Sequence, residues 1–184
     1  MGLTCLQLWG TTLMRILLIA LLLTLSFAVQ VPDVCANDVG PDIGKSAPSF
    51  ELGDLSGKTR SLSDYKGSVV LLNFWSTLCA PCTAEMPSLN RLHMALKDRG
   101  VIVVAVSIDS SDRLVRDFVR DKGISFTVLL DTEKEVFFDQ YVGPSLPATY
   151  LIDGNGIIIE KFSGPRDWDS RDMIQKILNA AKKQ

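Results

Sequence analysis

The run "SVVLLNFW", residues 68–75, is almost unbroken in apolar side chains and rich in β-branched and aromatic residues, which predicts a strand covered on both faces. The period then changes. From Pro81 to about Arg99 the apolar residues Met86, Leu89, Leu92 and Leu96 recur at helical spacing, and Gly100 supplies a stop. "VIVVAVSI", from Val101 to Ile108, reads as a second buried strand, and strand, helix and strand in succession imply a parallel crossover. Ser111 or Asp112 can cap a helix reaching Lys122, where Gly123 stops it; "SFTVLL" predicts a further strand and Thr132 to Tyr141 a short helix. "ATYLI" (Ala148 to Ile152), the turn "DGNG" and "IIIEKF" (Ile157 to Phe162) predict a hairpin, and Ile174, Ile177, Leu178 and Ala181 mark one face of a last helix. Ahead of all these, "FEL" and "TRSL" flank "GDLSGK", whose Gly53, Asp54 and Gly57 suit a turn between two short strands. The chain therefore reads as an α/β sheet with a small N-terminal hairpin, without internal repeats.

Length and charge narrow the function classes. With 184 residues, 47% hydrophobic and 22% charged, the chain suits one domain plus a short leader. A net charge of −2, from 19 basic and 21 acidic residues, offers no broad basic field and argues against nucleic-acid binding.

The leader is expected over residues 1–36 and the folded domain over 37–184. Arg15 precedes the uncharged run "ILLIALLLTLSFAVQV", which ends at Pro32 in the manner of a secretory signal. An uncleaved anchor is the alternative, but as a helix that run spans only about 24 Å against a hydrocarbon core of roughly 30 Å. Met1 to Met14 carries no charge, whereas "MRILL" gives a basic start at once, so Met14 is the expected initiator. Small residues allow cleavage after Ala28 or after Ala36. The second removes Cys35, and with Cys5 also in the leader it leaves Cys79 and Cys82 alone in a compartment that permits disulfides. Pro32, Asp33 and Val34 do not give Cys35 the small-residue context that lipidation needs.

The remaining chemistry centres on "NFWSTLCAPCTAEMP". Cys79 stands at the last turn before a helix and Cys82 one turn inside it, so the free N–H groups and the helix dipole favour an anion at Cys79. That lowers a thiol pKa and marks Cys79 as the nucleophile, while Pro81 lacks the N–H that would go unpaired there. A structural staple is the plain alternative, but so short a loop stabilises less than a long one. Zinc would need about four ligands, and besides this pair the exported region offers one histidine, His93, in the same helix. A linear two-thiolate copper(I) site is chemically open. His93 is expected to pack beside the apolar stripe without a catalytic role, and no cofactor is called for.

Two further positions stand out. Pro147 in "GPSLPATYLID" directly precedes a strand, where a proline is often cis and leaves the backbone ahead of it free for an extended peptide; an ordinary loop proline fits the spacing equally. Glu85 lies within one helical turn of Cys82. It could relay a proton to or from the resolving thiol, or simply complement the helix N-terminus as a solvated carboxylate.

Taken together, "SFELGDLSGKTRSLSDYKGSVVLLNFW", "CAPCTAEMP" and "LPATYLIDGNG" resemble the TlpA/ResA-like family of thiol-disulfide oxidoreductases over nearly the whole chain from Gly44 onward. The resemblance implies a thioredoxin fold with an N-terminal β-hairpin and a central strand-helix insertion. It implies that Cys79 attacks a substrate disulfide, that Cys82 resolves the mixed disulfide, that Glu85 is the active-site acid, and that Pro147 is cis and faces the pair. Trp75, Leu146 and Pro147 are the expected substrate-binding residues. Leu78 departs from the pattern, because the family commonly has Trp immediately before the first cysteine. The implied setting is the periplasm or another extracytoplasmic face, with a monomeric protein, protein thiol or disulfide substrates of the cytochrome c or copper-site maturation kind, and a membrane electron donor. No histidine lies between the cysteines to stabilise the Cys79 thiolate, which favours a reductase over an oxidant.

Three rivals are weaker. A peroxiredoxin would use a hydroxyl three residues before its reactive cysteine, where Ser76 stands, but Leu72 occupies the place of its upstream proline. A copper(I) chaperone would hold metal instead of turning over. A binding adaptor would have no use for an intact cysteine pair beside Glu85.

Overall fold

The computed structural model describes residues 40–143 and 145–182. The expected leader over residues 1–36, with Cys5, Met14, Ala28, Cys35 and Ala36, lies outside the described residues. Among the described residues no helix is long and apolar enough to cross a membrane.

The apolar run at 68–75 forms an interior strand of the sheet, paired on both edges. β1 (Glu51–Asp54) and β2 (Thr59–Ser61) make the N-terminal hairpin; β3 is Val69–Trp75, α1 Ala80–Leu96, β4 Val101–Ser107 and α2 Asp112–Lys122. β5 (Thr127–Leu130), β6 (Ala148–Ile152), β7 (Ile158–Ser163) and α3 (Arg171–Ala181) complete the fold. The strands run in the order β2-β1-β5-β4-β3-β6-β7. β3 pairs parallel to β4, with Trp75 opposite Ser107, and antiparallel to β6, with Asn73 opposite Thr149. The expected hairpins and crossover are present, and β5, inserted between α2 and β6, pairs parallel to β4 and carries β1 on its other edge.

Both faces of β3 are covered, and alternate residues go to different cores. Val69, Leu71 and Trp75 pack with Met86, Leu89 and Leu92 of α1 and Ile177 of α3. Val70, Leu72 and Phe74 pack on the opposite side with Phe137, Tyr141 and Tyr150. All seven residues of β3 are buried, Asn73 included.

One element differs from expectation. Thr132 to Tyr141 does not form an α-helix: Lys134 has φ 64°, a left-handed conformation that interrupts helical propagation, and only a π-helical turn at Val136–Gln140 follows. The Asp131 carboxylate accepts the N–H groups of Val136 (3.4 Å) and Phe137 (2.9 Å) at its start.

Candidate active site

β3 ends at Trp75, and a short loop delivers Cys79 to the N-cap of α1. Cys79 and Cys82 are joined in a disulfide with the Cα atoms 5.2 Å apart. The Cys82 N–H donates to Cys79 Sγ at 3.3 Å, so the first turn of the helix directs a free donor at the sulfur expected to carry negative charge. The two sulfurs sit in unlike surroundings. Cys79 is half-buried at the rim, whereas Cys82 is fully buried in the core beneath it.

The loop ahead of Cys79 is held by a residue that sequence reasoning missed. Asp109, just past the end of β4, accepts hydrogen bonds from Ser76 Oγ (2.9 Å), Thr77 N (2.8 Å), Thr77 Oγ1 (2.7 Å) and Ser107 Oγ (2.7 Å). Ser76 Oγ accepts in turn from the Leu78 N–H at 3.2 Å. Buried carboxylates need such partners, and here three of the four donors come from residues 76 and 77. The outcome is a fixed turn that leaves Leu78 86% exposed beside Cys79.

A groove of about 400 Å³ runs along this side of the disulfide, with Leu78, Cys79, Ile108, Leu114 and Leu146 among its lining. Asp109 and Lys134, of opposite charge, also contribute to it. The Leu146–Pro147 peptide bond is cis. Pro147 itself is buried and its carbonyl accepts the Gly164 N–H at 2.9 Å, so Leu146 is the one of the pair that reaches the groove. Trp75 corrects the expectation placed on it: it is fully buried, its ring packed on Phe118 with centroids 5.1 Å apart, and it has no surface to offer a substrate. The most exposed apolar side chain at this edge is Leu78.

On the inner side of α1 lies Glu85, only 3% exposed. Its Oε2 accepts from the Arg166 N–H and from Trp168 Nε1, both at 2.9 Å, and its Oε1 accepts from Asn73 Nδ2 at 3.0 Å. Burial raises the Glu85 pKa above the ordinary carboxylate range, against the three donors, which favour the ionised form. Asn73 Nδ2 also donates to Thr149 Oγ1 at 2.9 Å, linking Glu85 to the strand that begins just after Pro147. Trp168 is fully buried against Phe162, and next to it Asp169 holds Arg91 of α1 through Nε (2.6 Å) and Nη2 (3.2 Å). A cleft lined by Ser88, Arg91, Arg166 and Asp167 opens on the outer side of Glu85.

His93 packs edge-to-face on Phe126, 6.0 Å between centroids, and burial lowers its pKa. It lies two helical turns beyond Glu85 on α1. Among the described residues there is no cluster of three or more His, Cys, Asp or Glu side chains able to hold a metal ion.

Comparison with known proteins accords with this geometry. The AhpC/TSA family model matches residues 43–161. The thiol-disulfide oxidoreductase ResA of Bacillus thuringiensis (strain Al Hakam) is 43% identical over 122 residues, covering 66% of this chain and 70% of that protein. ResA of Bacillus subtilis (strain 168) is 38% identical over 139 residues, covering 76% and 75%. Among solved structures, the thioredoxin domain of a thiol-disulfide oxidoreductase from Bacteroides vulgatus superposes with a TM-score of 0.68 at 27% identity, covering 76% of this chain and 99% of that one. A paired cysteine at the head of α1, on a thioredoxin fold shared with these enzymes, places the chain in the AhpC/TSA family as a ResA-like thiol-disulfide oxidoreductase.

Proposed function

We propose that the protein is an exported reductase of protein disulfides, with Cys79 as nucleophile, Cys82 as resolving thiol and Glu85 as the group that takes the Cys82 proton. The observation that carries this reading is the division of the disulfide between a rim and an interior: Cys79 borders an apolar groove, and Cys82 is buried one helical turn before Glu85. In the reduced protein the Cys79 thiolate attacks one sulfur of a substrate disulfide. The substrate S–S bond breaks, a Cys79–substrate disulfide forms, and the departing substrate sulfur is protonated by water. Cys82 then passes its proton to the Glu85 carboxylate and its thiolate attacks Cys79 Sγ. The second substrate sulfur leaves and is protonated, so two electrons have moved to the substrate and the Cys79–Cys82 bond is restored.

Leu78 and Leu146 would receive the polypeptide around the substrate cysteine, with the cis-Pro147 turn fixing Leu146 from behind. Turnover requires an external dithiol donor; a membrane protein in that role, cytochrome c or copper-site cysteines as substrates, a monomeric state and a leader over residues 1–36 belong to the same proposal. The hydrogen bond from Ser76 Oγ to Asp109 favours it over peroxide reduction, since that hydroxyl is already engaged by a carboxylate.

The test is the reduction potential of the Cys79–Cys82 pair in the protein beginning at Asn37, equilibrated against dithiol buffers. A value near or below about −250 mV supports a reductant that needs a dedicated electron supply, and one near roughly −120 mV makes the protein an oxidant instead. Thiol-dependent peroxide consumption, or tight copper(I) binding with little disulfide reductase activity, would favour one of the rival readings.

A further inference from the structure

Asn73 interrupts an otherwise apolar strand and has no exposed surface, an expensive place for an amide unless both of its ends serve a purpose. In the structure only one end does. Both hydrogen bonds leave from Nδ2, to Glu85 Oε1 and Thr149 Oγ1, and the buried Oδ1 has no hydrogen-bond partner.

The other partners of Glu85 cannot adapt to a change in its protonation. The Arg166 N–H and Trp168 Nε1–H are donors only, and both point at Oε2. A proton taken up by Glu85 therefore settles on Oε1, where it faces Asn73. With the amide as it stands, that O–H would meet an N–H₂ group, donor against donor. A half-turn about the terminal side-chain torsion exchanges Nδ2 for Oδ1 at almost no change in shape. Oδ1 would then accept from the Glu85 O–H and from the Thr149 hydroxyl, which can donate as readily as it accepts.

Resting on the reading of Glu85 as proton acceptor, we propose that Asn73 is a positioning residue that turns its amide over each time Glu85 gains or loses its proton. The N–H₂ end holds the carboxylate ready, and the oxygen end holds the carboxylic acid until the proton is passed on. Arg166 is the charged residue acting on Glu85 from the loop before α3, and Cys82 is the titratable group one turn back on α1 once the disulfide is reduced; Arg91 and Asp167 line the outer cleft. Asn73, Thr149 and Trp168 do not titrate in the working range, so a change at Asn73 reports on its neighbour.

Nuclear magnetic resonance of the reduced protein tests this directly, with ¹⁵N in asparagine and ¹³C in the glutamate carboxyl groups. On acidification the Asn73 side-chain amide should shift in step with the Glu85 carboxyl carbon, and its proton contacts to Thr149 should be lost. In Glu85→Gln the new amide donates toward position 73 at every pH, so Asn73 should stay in the turned-over state throughout. Glu85 titrating while Asn73 keeps its contacts to Thr149 would overturn the proposal. In Asn73→Leu the rate of disulfide reduction should fall about tenfold while the midpoint of its pH profile moves by less than about threefold in proton concentration, because donor and acceptor are lost together. A midpoint moved upward tenfold would instead mark Asn73 as a donor to the carboxylate alone. Undiminished reduction by Glu85→Gln would remove the proton role of Glu85 itself, a result separate from the behaviour of the Asn73 amide.

Discussion

Trp168 Nε1 lies 2.9 Å from Glu85 Oε2, joining a loop before the last helix to the first turns of α1 across 83 residues of sequence. The indole is fully buried, so this hydrogen bond works in a water-poor setting and favours the ionised carboxylate. Trp168→Phe keeps most of the ring packing and removes the donor. Glu85 should then titrate at still higher pH, and below that midpoint disulfide reduction should fall about tenfold, as expected for loss of a hydrogen bond to a charged group. A pH profile of kcat/KM checks this, and an unmoved profile would assign Trp168 to packing alone.

Asp109 offers a test of the turn before Cys79. Asp109→Ala leaves Ser76, Thr77 and Ser107 without their shared acceptor, and should cost about 2–4 kcal/mol in urea unfolding. Loosening the turn should also lower kcat/KM toward a protein disulfide by ten- to a hundredfold, since misplacing a reactive group by about 1 Å has effects of that size. Asp109→Asn, which keeps one acceptor oxygen, should fall between the wild type and Ala.

Leu78 is 86% exposed, so its replacement by Asp should leave the thermal midpoint within about 2 °C of wild type. KM for a protein disulfide should nevertheless rise about tenfold, through loss of apolar contact at the groove. An unchanged KM would show that substrates bypass this edge.

Stability should depend on pH through Glu85 in a definite direction. Burial, opposed by three hydrogen bonds, leaves its pKa in the folded protein above the unfolded value. The folded state then holds its proton more tightly than the unfolded chain does, so the contribution is fully present below the ordinary carboxylate range and is lost as pH rises through the folded value. Glu85→Gln should be the more stable protein at neutral pH, and the advantage should shrink on acidification. Chemical denaturation at several pH values measures it; an advantage that grows toward acid would reverse the assignment.

The elements legible in the sequence are those whose signal is local. The run at 68–75, the cysteine pair at its end and the stripe of Met86, Leu89, Leu92 and Leu96 each specify a strand, a junction and a helix without reference to the rest of the chain. The supporting residues were hidden for the opposite reason. Asp109, Asn73 and Trp168 act on partners 32 or 33, 12 and 83 positions away, respectively, and only the sheet order brings them together. Asn73 alone gave a hint, as the single amide in a buried apolar strand. Trp75 shows the reverse error, since an aromatic near a reactive cysteine suggests a contact surface, whereas β3 is covered on both faces and Trp75 packs into the core on the α1 side. The helix expected from Thr132 begins only after Lys134, whose backbone angle its neighbours in sequence do not announce, and is reduced to the π-helical turn Val136–Gln140.

The unequal burial of the two sulfurs sets a clock. Under the proposed mechanism a partner joined to Cys79 is released by Cys82, whose sulfur has no exposed surface and so can attack only the disulfide held beside it. Where external thiols are scarce, how long the two proteins stay linked is then decided within this one, by proton loss at an interior thiol.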